Sequence, residues 1–266
     1  MKTLKKCSIF ALLIAASGAA QQQSERSSSP AASANSLPGV RRPDPPRPTG
    51  PTPHLADGTL DLSGVWYGGG PTGNIAQGLP KGEKLPLLPS AEKILKSRQS
   101  KDDPETNCLP AGVPRMAPYP WRIVQTPTHV FFLYEGNIHS YRQIFMDGRK
   151  HPDDPDPTWY GHSIGHYEGD TLVVDTVGFN DKFWFDFAGN PHTEQLHTIE
   201  RFTRKDLGTL IVQIQIIDPG AYSKPFTVTF TASLRPKEEL MEYMCQEGQQ
   251  DASHLVGFVG IESVIP

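Results

Sequence analysis

The chain has 266 residues, with 25 Lys and Arg against 29 Asp and Glu, for a formal net charge of -4. Setting aside the three lysines of the first 20 residues leaves a formal charge of -7, which argues against a nucleic-acid partner held through phosphates. The N-terminal apolar run, Ile9 to Ala16, is too short to span a bilayer as a helix.

Residues 1–20 read as an export signal. Lys2, Lys5 and Lys6 form a basic start, an apolar run follows, and Ser17-Gly18-Ala19-Ala20 offers small residues for cleavage. The expected location is therefore periplasmic or secreted. Cys7 precedes the apolar run and would leave with the signal. Cys108 and Cys245 then remain, and an oxidising compartment predicts a disulfide between them. Residues 21–54 are rich in Gln, Ser, Pro and Arg and poor in large apolar residues. They read as a disordered tether. Residues 55–266 have the size of a single domain.

That domain opens on Gly64-Val65-Trp66. A Gly-x-Trp on a first strand resembles lipocalin-like barrels, in which the Trp closes one end. Gly68 to Pro89 reads as a long Gly/Pro loop, and Ser90 to Arg98 as a helix with Ser90 as its N-cap. Val130–Glu135 and Ile138–Phe145 read as strands joined at Gly136-Asn137, which sets Phe132 opposite Tyr141 and Phe131 opposite Arg142. Lys150 to Thr158 reads as a loop carrying His151. Phe226, Val228 and Phe230 alternate with threonines, and a last element is expected near Leu240 to Cys245. Many short strands separated by turn signals, with no helices between them, predict an all-β, antiparallel, lipocalin-like barrel. A β-sandwich is the alternative.

The stretch from Gly161 to Asp218 concentrates the polar chemistry. It holds His162, His166, His192 and His197 with Asp175, Glu194, Glu200 and Arg201. A two-residue turn at Gly169-Asp170 pairs Ile164 with Asp175 and His166 with Val173. His162, Ile164, His166, Val173, Asp175 and Val177 then share one face. In the next hairpin Leu210, Val212, Ile214 and Ile216 form a core-facing row. With Lys205–Gly208 as the loop, Arg201 pairs with Val212 and His197 with Ile216. This register turns His197 and Arg201 inward and Glu200 outward. Residues 179–189 carry five aromatics, including Phe183 and Trp184, and suit either a lid or a flap over the barrel end.

The segments IFMDGRKHP (144–152), GHSIGHYEGDTLVVDTVGFND (161–181), PHTEQLHTIERF (191–202), DPGAY (218–222) and EYMCQE (242–247) together resemble a family of exported bacterial proteins of soil and water. The resemblance spans about residues 103–247. It implies export but no reaction, substrate or cofactor. It also implies Arg or another residue where His166 stands, which favours His162 over His166 as a site residue.

Three kinds of chemistry fit these residues unequally. Ser163 is one residue off a Gly-x-Ser-x-Gly elbow and sits in a hairpin, so nucleophilic catalysis is poorly supported. A divalent metal on His162, His192, Glu194 and His197 is an alternative without a recognisable ligand spacing. Acid–base catalysis fits best. His162 and His197 are then the acid and base, Asp175 and Glu194 orient them, and Arg142 and Arg201 hold an oxyanion. His151, His192, Trp184, Tyr141 and Phe183 would line a substrate site. The expected activity is a cofactor-free isomerase, lyase or cyclase acting on a small, partly apolar molecule inside the barrel. A non-catalytic binder of a hydrophobic small molecule is the competing reading.

Overall fold

The computed structural model describes residues 46–115, 119–136 and 140–248; the expected signal and most of the expected tether lie outside them. Nine strands form a closed barrel in which each strand pairs with its sequence neighbour and the last returns to the first. They are β1 (Gly64–Gly68), β2 (Trp121–Gln125), β3 (His129–Tyr134), β4 (Ser140–Phe145), β5 (His162–Tyr167), β6 (Thr171–Val177), β7 (His197–Asp206), β8 (Thr209–Ile217) and β9 (Phe226–Leu234). Helix α1 spans Pro89–Ser97, with Pro89 in its first turn and Leu88 rather than Ser90 at its N-cap. The expected element near Leu240–Cys245 is irregular chain leading into a one-turn helix, Cys245–Gly248.

Alternation builds the core. Leu210, Val212, Ile214 and Ile216 of β8 are all fully buried, each contributing about 1.5–3 kcal/mol relative to exposure. Trp66 is buried against them in the same core, its indole N–H donating to Leu62 O at 2.9 Å and the Arg204 guanidinium 5.0 Å from its ring. Closure leaves no free sheet edge along most of the wall.

The barrel is not wholly antiparallel. β4 and β5 run parallel and pair only at Ile144–Ser163 and Phe145–Ile164. A parallel neighbour requires the chain to cross back before re-entering the sheet. Residues 146–161 make that crossing. Gly161 ends it with φ +65, and a Cβ there would lie 2.6 Å from the Val177 carbonyl oxygen, so the crossing enters β5 only through a glycine.

Two hairpin registers decide where the polar residues go. The β5–β6 hairpin follows the sequence expectation: Ile164 faces Asp175, His166 faces Val173, and Gly169 turns at φ +56. The β7–β8 hairpin is shifted by one residue from the expectation. Arg201 pairs with Gln213, Glu200 with Ile214 and His197 with Ile217. β7 runs on to Asp206, with an irregularity between Arg204 and Asp206, so the turn falls later than Lys205–Gly208 implies. A one-residue slip exchanges the faces. Glu200 therefore points into the core, while His197 and Arg201 point outward. β3–β4 is also shifted by one residue: Phe132 faces Arg142 and Phe131 faces Gln143; Asn137 of the expected turn lies outside the described residues.

Cys108 and Cys245 form a disulfide with Cα atoms 5.6 Å apart. Such a bond over a long loop is typically worth about 2–4 kcal/mol. The described end of the expected tether is not free chain. Leu207 N donates to Gly50 O at 3.0 Å and Thr52 Oγ1 to Arg204 O at 3.1 Å, so residues 50–52 lie on the β7–β8 turn. Among the described residues no helix is long and apolar enough to cross a membrane.

Candidate functional site

Outward-facing residues of β5, β6 and β7 and the crossing loop assemble four of the polar groups. His197 Nε2 lies 2.7 Å from Asp175 Oδ1, and His151 Nε2 lies 3.1 Å from the same oxygen. His151 Nδ1 is 2.8 Å from His162 Nδ1. An ionised carboxylate only accepts, so both Nε2 atoms donate to it. A neutral His151 then has a bare Nδ1, which accepts the Nδ1 proton of His162. His162 is left with an unprotonated Nε2. The relay Asp175–His151–His162 thus sets the tautomer of its last member.

The electrostatics agree with that assignment. Partial burial, then His151, then Arg149 pull the His162 pKa below its ordinary value, which keeps the ring neutral at pH 7. The hydrogen bond from His197, with a further one from His151, holds the Asp175 carboxyl below the usual range. His162 also stacks on Phe145, with ring centroids 5.2 Å apart.

His162 forms part of the wall of a groove of about 460 Å³. The groove lies where β4 and β5 splay apart. Tyr141, Phe145, Trp159 and Tyr160 supply aromatic walls, and Pro110, Pro152 and Pro155 supply rigid apolar ones. Arg142 and Ser163 border it on the barrel side.

Behind that border is a closed polar network. Arg142 Nε donates to Ser163 Oγ at 3.0 Å, Nη1 to Glu200 Oε1 at 3.0 Å, and Nη2 to Thr176 Oγ1 at 2.6 Å and to Glu200 Oε2. Arg142 is 1% and Glu200 0% exposed. Burial disfavours the guanidinium charge, and Glu200 more than offsets this, so the Arg142 pKa is raised. The two charges cancel inside the wall.

The expected site residues therefore divide. His162, Asp175 and His197 come together, joined by His151, but on the outer wall and not inside the barrel. Tyr141 lines the groove. Arg142 is committed to Glu200. Arg201 pairs on the surface with Glu168, and Glu194 is exposed, outside the cluster. His192 is a core residue: it packs 3.8 Å from Phe183 and 5.1 Å from Phe185, lies 2.9 Å from Phe183 O, and has a pKa pushed down by burial to about 4. Phe183 is fully buried, and Trp184 is buried with the Arg98 guanidinium 4.7 Å from its ring. Phe179, Phe183, Trp184 and Phe185 are thus core packing, while Phe187 of the same stretch is exposed. The alternative metal set of His162, His192, Glu194 and His197 is scattered. Among the described residues no three His, Cys, Asp or Glu gather in a way that could hold a metal ion.

Sequence reasoning missed the groove itself, Glu200 as an interior charge, and Trp159 and Tyr160 as its walls. The prolines and aromatics of 152–160 were the available signal. No protein-family model, curated protein or solved structure matches the chain.

Proposed function

We propose that the protein is an acid–base enzyme of the isomerase, lyase or cyclase type, acting on a small, partly apolar molecule bound in the β4–β5 groove. The observation that carries this reading is the hydrogen-bonded chain from Asp175 through His151 to His162, which ends on the groove wall. His162 is the general base through Nε2. His151 and Asp175 orient it and stabilise the imidazolium that forms when it takes a proton. His197 acts as a positioning residue by holding Asp175. A neutral base beside an apolar surface is suited to removing a carbon-bound proton near neutral pH. Export to an oxidising compartment is the setting we assign, supported by the basic, apolar N-terminus and the disulfide.

A substrate-independent probe tests this. In 5-nitrobenzisoxazole a base removes the C3 proton, the N–O bond breaks, a nitrile forms and a coloured phenolate leaves. The protein should catalyse this elimination with saturation and above the rate of free imidazole, and His162→Ala should abolish the excess. A wild-type rate no better than imidazole, or one unchanged in H162A, contradicts the reading. The apolar walls equally suit a non-catalytic binder, for which the probe would bind without turning over.

A further inference from the structure

We infer that the groove takes a ring-containing molecule without an anionic group, whose polar group is a carbonyl or hydroxyl, and that it discriminates against carboxylates and phosphates. The inference rests on the groove being the site proposed above. Three observations carry it.

First, the walls are flat and apolar. Tyr141, Phe145, Trp159 and Tyr160 face a space of about 460 Å³, within the usual range for small-molecule sites. Aromatic faces reward stacking by rings.

Second, among the described residues the groove offers no uncompensated cation to an anion. Arg142 is the cation on its border, and its charge is matched at hydrogen-bonding distance by Glu200. Arg149, near Phe145, is engaged by Asp147 through three hydrogen bonds. A carboxylate entering the groove would lose its hydration without gaining a free cationic partner.

Third, the polar groups that remain suit a neutral oxygen. Gln143 and Thr158 bring amide and hydroxyl groups to the lining, and His162 brings a neutral ring. A carbonyl or hydroxyl can be satisfied by these while its ring stacks on the walls. A carbonyl also acidifies the adjacent C–H bond that a base at His162 would attack.

An isosteric pair separates the possibilities. Binding of 2-acetylnaphthalene and 2-naphthoate is measured by fluorescence titration on the full chain at pH 7. The ketone should bind at least about tenfold more tightly than the carboxylate, and Trp159→Ala should weaken it about fivefold or more. A carboxylate that binds as tightly as the ketone overturns the inference, as does an affinity unchanged in W159A or no binding at all. Ketone selectivity without elimination of the benzisoxazole would leave this inference standing and remove the enzymatic one.

Discussion

His151 Nδ1 and His162 Nδ1 lie 2.8 Å apart, each on the Nδ1 side of its ring. Two neutral imidazoles can meet this way only if one donates and the other accepts. Asp175 decides which, because it already takes the Nε2 proton of His151. The carboxylate therefore determines the tautomer of the second ring, on a residue that lines the groove. The logic is that of an acid–histidine pair extended by one ring.

The first expectation concerns pH. The His162 pKa lies below its ordinary 6.5, and the base works only when deprotonated. Elimination activity should be constant near pH 7–8 and fall as the pH drops through that lowered pKa. Asp175→Asn removes the charge that stabilises the relay. It should cost about tenfold, less than the 10²–10⁴-fold that a positioned base itself contributes, and should move the acid limb. A profile with no limb below pH 6.5 would point to another base.

The second expectation separates the inner and outer arginines. Arg142 and Glu200 form a buried pair, whereas the Arg201 and Glu168 side chains are 40% and 48% exposed. Glu200→Gln leaves a buried guanidinium without its counter-charge and should cost about 3–5 kcal/mol in urea unfolding. Arg201→Met should cost less than about 1 kcal/mol. The reverse order would mean that the β7 faces are exchanged.

Acid stability gives a third expectation. His192 has a folded pKa of about 4, below an unfolded value of about 6.5. Between those values the unfolded chain binds more protons, so stability falls as the pH drops through that window. The loss attributable to this one ring approaches about 3 kcal/mol near pH 4. Unfolding of wild type and His192→Gln at pH 7 and pH 4.5 isolates it. A wild type that loses no more stability than the variant would show that His192 is not a buried neutral ring.

The parts of this fold that were legible in the sequence are those set by local chemistry. Gly169-Asp170 marked its turn, and the alternating row from Leu210 to Ile216 marked the inner face of β8. The strand count and the absence of intervening helices pointed to a barrel. What failed was register in β3–β4 and β7–β8, where a loop one residue longer or shorter exchanges the faces. That is why Glu200 and Arg201 traded places. His162, Asp175 and His197 lie together on the outer wall and not inside the barrel as expected, because period-two alternation says which residues share a face and not which face is wet. The parallel β4–β5 contact, and the groove it opens, depends on a 16-residue crossing between Phe145 and His162. Beyond the prolines and aromatics of 152–160, no local signal in that crossing distinguishes it from a surface loop.

The account turns on where the His162 proton sits, and long-range ¹H–¹⁵N correlation spectra of the imidazole nitrogens at pH 7 measure this directly. The relay predicts a neutral His162 with its proton on Nδ1 and an unprotonated Nε2, beside a His151 protonated on Nε2. Asp175→Asn should disturb both assignments. A His162 that carries its proton on Nε2, or that is an imidazolium at pH 7, would contradict the relay and the base it is proposed to create.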